Sequence, residues 1–306
     1  MNDISLVGET LPVPVETLRS LSDADLAALR RAVSVLEKPS LATRLSAAAG
    51  APLDMIGRAL PTPVTDVVAR SAEGAMRTAL RVALATLPDK AVTSAVTAVE
   101  TTAEDAGNRL SRLFQSSDTK HKAMAALSGA VGGAFGLATL AVELPVSTTL
   151  MLRSIAEIAR EEGEDLSDPE NALACVQVFA LGGRNGAETA LSESGYFAVR
   201  AALTKTMAEA AKYAANRSVL DSSAPALIRF ASQIASRFGI VVSQKVAAQA
   251  VPLIGAFGGA AINTAFMNHF QAMARAHFTV RRLERRYGET TVREAYAAEK
   301  EALGLA

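Results

Sequence analysis

Three histidines, one cysteine and a run of acids are the residues of this 306-residue chain with the reach to do chemistry. Metal chemistry of the H-E-x-x-H kind needs two imidazoles on one helix face, and His121, His269 and His277 do not offer that spacing. The acids of "EEGEDLSDPE", Glu161 to Glu170, lack the alternation of an EF-hand loop and read as a helix end followed by an acidic helix cap. Cys175, in "LACVQVFAL", is flanked by apolar residues at helical spacing and is expected as a small core residue. As the single cysteine it leaves no intramolecular disulfide and no cysteine zinc cluster. "ESGYF" is not a nucleophile elbow, and the glycine runs lack the Lys-Ser/Thr of a phosphate loop. No catalytic residue, metal or cofactor is assigned, and the balance falls against an enzyme. An active site, were there one, would draw on Glu143, Arg153 and His269 brought together by helix packing.

The elements that must position these residues are helices. Ala, Leu, Glu and Arg dominate, and apolar residues recur at three and four rather than at two, so an all-α, multi-helix globular bundle is expected. "SLSDADLAALRRAVSVLEKPS" illustrates the reading: Ser22 caps, Asp25 is the acid of a capping box, and Leu26, Leu29, Val33 and Leu36 form a stripe that Pro39 stops. A second helix follows Pro61 and Pro63 to about Leu87, and another starts at Pro88. A new helix is expected at Pro145, where a missing N–H is tolerated, burying Leu144, Thr148, Met151, Leu152, Ile155 and Ile158 and ending at Gly163. Further helices are expected from Pro169 to Gly182, over 193–217 and 225–250, from near Pro252 to Gly288, and after Thr290. The change of character near Asp118 divides the chain into an N-terminal helical region, 1–117, and a helical core, 118–306.

Two stretches carry no charge, Ala123 to Val142 and Val246 to Asn268. The first is long enough to span a bilayer's hydrocarbon core, at about 1.5 Å per helical residue. Its many Ala, Gly, Ser and Thr residues gain little from lipid, so a buried place in a soluble bundle is the first expectation. Gly129, Gly132, Gly133 and Gly136 in one stretch, and Gly255, Gly258 and Gly259 in the other, give small-xxx-small, glycine-zipper spacing. Such spacing strips one ridge of side chains and lets two helices approach closely, so the two glycine-rich helices are expected as central neighbours. After the second stretch come Arg275, His277, Arg281, Arg282, Arg285 and Arg286. Read one way they are a solvated face with Glu284 and Glu289 as partners; read the other, Arg281, Arg282, Arg285 and Arg286 dock on anionic lipid head groups. The 31 basic and 31 acidic residues balance, so no nucleic-acid partner is indicated. The N-terminus has no positive n-region and no long apolar run, and cytoplasmic residence is expected.

"GGAFGLATLAVELPVSTTLMLRSIAEIAREEGEDLSDPENALACVQVFALGG" resembles the centre of EcsC-family proteins: a glycine-rich helix, an acid-x-Pro turn, an "LR-I-IA" helix, a break, and a capped helix ending in glycine. "KVAAQAVPLIGAFGGAAINTAFMNHFQAMARAHFTVRRLERRYG" is similar to that family's C-terminal block, so the resemblance covers roughly Asp118 to Gly288. Glu143, Pro145, Arg153, Gly182 and Asn263 match its recurrent pattern. The resemblance implies a non-catalytic, membrane-peripheral protein accessory to a transport, secretion or envelope system, with an anionic membrane surface and a transporter or envelope protein as partners. The residues themselves support more modest uses, with Glu143 pairing with Arg153 or capping the Pro145 helix, and Asn263 and His269 serving as polar anchors. The alternative is an enzyme or small-ligand binder with a pocket between the central helices, anchored by Glu143 and Arg153.

Overall fold

A computed structural model describes residues 21–37, 60–85, 140–182, 195–215, 224–249 and 252–305. Among them are eight α-helices and no strand: α1 Asp23–Leu36, α2 Thr62–Ala85, α3 Leu140–Glu161, α4 Pro169–Leu181, α5 Gly195–Ala215, α6 Pro225–Gln249, α7 Pro252–Tyr287 and α8 Glu289–Ala302. The helix starts and stops follow local chemistry. Ser22 Oγ accepts the Asp25 N–H at 3.2 Å, capping α1, and donates to its carboxylate at 3.0 Å; the expected capping box is not completed, because the Ser22 N–H turns to the Tyr287 hydroxyl at 3.4 Å. Asp168 caps α4, with Pro169 in the first turn. At the end of α3 the Glu164 N–H reaches the Ala159 carbonyl and the Gly163 N–H the Arg160 carbonyl, with Gly163 at φ +82°. This Schellman ending needs the left-handed backbone that glycine adopts freely.

Two local expectations are corrected. No helix begins at Pro145; α3 starts at Leu140 and runs through it. The proline removes the bond to the carbonyl of Ala141, but Ala141 is exposed, so water can take up that carbonyl near the helix start. In α1, Leu26 is turned outward at 37% exposure, and the buried stripe is Asp25, Leu29, Ala32, Val33 and Leu36. A polar residue thus holds a position on the inward face, and the site below explains it. In α3 the expected buried face is observed, with Leu144, Thr148, Met151, Leu152, Ile155 and Ile158 all buried.

α4 takes the centre of the described bundle, buried from Ala172 to Leu181 and touching α2, α3, α5, α6 and α7. Such all-round burial is what its nearly uninterrupted apolar sequence requires. α2 packs on α3 and α6, and α1 on α7 and α8, within the same hydrophobic core. Ser154 bonds Gln271, Glu162 bonds Thr279 and Glu164 bonds Arg281, each pair 117 residues apart, so α3 and α7 run parallel and in register. Gly129, Gly132, Gly133 and Gly136 lie outside the described residues, as do residue 118 and the helix expected at Pro88. Gly255, Gly258 and Gly259 fall in the first turns of α7, where the side-chain surroundings of 252–260 are likewise outside the description. The close helix approach that can be seen is at Gly182, where a Cβ would lie 2.8 Å from His269 Nε2 and 3.1 Å from the Phe270 ring.

Candidate functional site

Glu143 and Lys245 form the most deeply buried ion pair among the described residues. The Lys245 ammonium donates to Glu143 Oε1 at 2.6 Å, the lysine side chain wholly buried and the glutamate 6% exposed. Helix α3 supplies the carboxylate from its first turn, and α6 brings the lysine in on its last. Burial pulls the Lys245 pKa down, and the carboxylate opposes that pull without cancelling it. The ammonium also lies 5.2 Å from the centroid of the Phe266 ring. Asn263 and Gln244 are buried, and so is Thr148, whose hydroxyl has no hydrogen-bond partner among the described residues.

The predicted polar anchors do not converge. Arg153 is ten residues beyond Glu143 on α3, about 15 Å along the axis, and Glu143 is paired with Lys245 instead. Arg153 lines a separate cleft against α2 and α4. His269 is buried against Gly182 and the ring of Phe270. An active site assembled from Glu143, Arg153 and His269 is therefore absent from this arrangement. Among the described residues no group of His, Cys, Asp and Glu has the geometry to hold a metal ion. Cys175 is buried, and burial pushes its thiol up to about 12, far from the range of a reactive thiolate.

The four arginines lie at the other end of α3, roughly 27 Å from Glu143 at eighteen helical residues. Arg281 grips Glu164 through Nε at 2.8 Å and Nη2 at 3.2 Å, and also reaches Asn171. Arg285 donates to the same carboxylate and to the Glu162 carbonyl. Arg282 bridges Glu162 and Asp25, and Arg286 reaches Asp25 at 3.1 Å. Burial acts to raise the Glu164 pKa, but the hydrogen bonds and charges of Arg281 and Arg285 outweigh it and hold the carboxyl below its usual value. The Tyr287 hydroxyl does the same for Asp25: it outweighs the opposing effect of burial, and Arg282, Ser22 and Arg286 add to it. Charge-assisted bonds of this kind, several to each carboxylate, tie α1 and the α3–α4 turn to α7. Arg281 and Arg282 keep 17% and 33% of their side-chain surface, Arg285 and Arg286 42% and 61%.

His277 does not join this basic face. It is fully buried, its Nδ1 3.0 Å from the Tyr196 hydroxyl. Arg200 donates to that hydroxyl and to Glu284, the acid expected to serve the cluster on α7. Burial, then the charges of Arg200 and Arg281, hold the His277 pKa well below that of a free imidazole. Lys245 and Glu164 were not singled out in the sequence, and Asp25 was read there only as a capping-box acid. Lys245 had one usable mark, since it bounds the second uncharged stretch as Glu143 bounds the first.

The family model described as EcsC protein family matches residues 23–283, a span that begins well ahead of residue 118. No curated protein matches the chain, and no solved structure matches it.

Proposed function

We infer that this chain, which belongs to the EcsC protein family, is a non-catalytic helical protein that associates peripherally with a membrane through the end of the bundle marked by the Glu143–Lys245 pair. One observation carries the reading. Glu143 is the first charge after Ala123 to Val142, Lys245 is the last before Val246 to Asn268, and the two are 2.6 Å apart. The charges that bound the two stretches therefore lie together at one end of the bundle, and that is the end we assign to the membrane. The described surface offers no comparable feature, as Leu26 is the large apolar side chain exposed there. None of the described helices is long and apolar enough to cross a membrane. Reversible contact at the cytoplasmic face, as an accessory to a transport or envelope system, is the setting we propose.

The arginines take a smaller part in this reading than their sequence spacing suggests. All four are engaged by Glu164, Glu162 and Asp25, and they lie at the opposite end of α3 from the Glu143–Lys245 pair, so the primary contact does not run through them. Co-sedimentation of the full chain with vesicles of anionic and of neutral lipid, at low and at high salt, tests the proposal. Binding is expected to survive Arg285→Glu/Arg286→Glu with little loss and to disappear in Phe135→Glu/Phe257→Glu. A chain that stays in the supernatant with both vesicle types refutes it.

A further inference from the structure

A cleft of about 330 Å³ opens between the last turns of α2, the C-terminal half of α3, the turn that follows it and the first turns of α4. Leu152, Leu166 and Cys175 contribute to an apolar lining, and Arg153, Glu157 and Arg160 edge it. The three charged residues follow one another at four and three positions along α3, so they share a helix face. Arg160 makes no ion pair among the described residues, whereas the arginines of α7 are all paired. Two guanidinium groups against one carboxylate give the rim a net charge of one.

We propose that this cleft binds an amphipathic monoanion, a medium-chain carboxylate with its chain on the apolar lining and its head group between Arg153 and Arg160. Size sets the chain length. The volume is near the lower end for small-molecule sites, roughly 300–1,000 Å³, and divides into about eleven water-sized shares of roughly 30 Å³. A ten-carbon fatty acid fills that. Charge sets the head group: a dianion places its second charge against Glu157, while a neutral head forgoes both arginines. Ligand burial in such sites is apolar in bulk with a few polar groups fixing orientation, which is the distribution found here. The cleft is a different site from the Glu143–Lys245 end and does not depend on membrane contact.

Calorimetric titration of the full chain with decanoate, decanol and acetate, without vesicles, tests the assignment. Decanoate is expected to bind with a Kd on the order of 0.1–1 mM, decanol more weakly, and acetate without measurable heat. Arg160→Gln is exposed and unpaired, so it should fold normally and weaken decanoate about fivefold while leaving decanol unchanged. Glu157→Gln should tighten decanoate by a similar factor. Ala172→Phe, which fills the cleft, should abolish both. Absence of decanoate binding at millimolar concentration overturns the proposal, as does a Kd that ignores both Arg160→Gln and Glu157→Gln, or binding that survives Ala172→Phe.

Discussion

Replacing Lys245 by methionine removes a positive charge from a place with no access to water and leaves the Glu143 carboxylate facing Phe266 and the methionine thioether. Stripping one partner from a buried ion pair costs about 3–5 kcal/mol, because the remaining charge has lost both its partner and its hydration. Unfolding entropy of roughly 2.1 cal/mol/K per residue, taken over the whole chain, makes 1 kcal/mol worth about 1.6 °C, so the melting temperature should fall by roughly 5–8 °C. The double replacement Glu143→Leu/Lys245→Met removes both charges and keeps similar volume. Since apolar replacements of buried pairs are often neutral or stabilising, the double variant should melt within a few degrees of the parent. Calorimetry on the four proteins of the cycle, parent, two singles and double, gives the coupling between the residues. A coupling near zero would refute the reasoning, because it would mean that water reaches the pair and screens it.

Acid sensitivity should have two stages. His277 has a folded pKa well below the usual 6.5, so the unfolded chain takes up its proton first and stability falls as pH drops below about 6.5, at no more than about 1.4 kcal/mol per pH unit for one proton. Glu164 and Asp25, both lowered in the fold, add their loss only below the ordinary carboxylate range near 4. Urea titrations of the parent and of His277→Gln, at intervals from pH 7 to pH 4.5, should show the first stage in the parent and a flatter curve in the variant. Parallel curves would show that His277 already titrates freely in the folded protein. Gly182→Ala puts a Cβ against the buried His269 and Phe270 and should cost about 1–3 kcal/mol in the same assay. Combining it with His269→Ala should restore part of that loss, and strictly additive effects would mean that His269 is not the obstacle.

The helices were legible because their causes are local. Ser22 with Asp25, Asp168 before Pro169, and Gly163 and Gly288 at helix ends are read within one turn of chain, and each marks an observed boundary. Pro145 was misread for the same reason: a local rule stops or starts a helix at proline, whereas α3 accepts it in its second turn, where the carbonyl it orphans belongs to the exposed Ala141. Leu26 shows the limit more sharply. Hydrophobicity assigns it to the buried stripe, but the packed position goes to Asp25, whose carboxylate serves residues 257, 261 and 262 positions away.

Long-range charge pairing explains why the site was less legible than the fold. A run of arginines and a run of acids were each visible, as "VRRLERR" and "EEGED", and each was given a local use as a solvated face or a helix cap. A salt bridge between them is decided by the parallel register of α3 and α7, which no window of sequence contains. Glu143 and Lys245 differ in one respect. Each is the single charge that terminates a long uncharged stretch, and their signs are opposite. In a bundle where buried charges must be paired, the two ends of such stretches constrain each other, so the pairing is a consequence of burying both. That constraint brings the α3 start and the α6 end together.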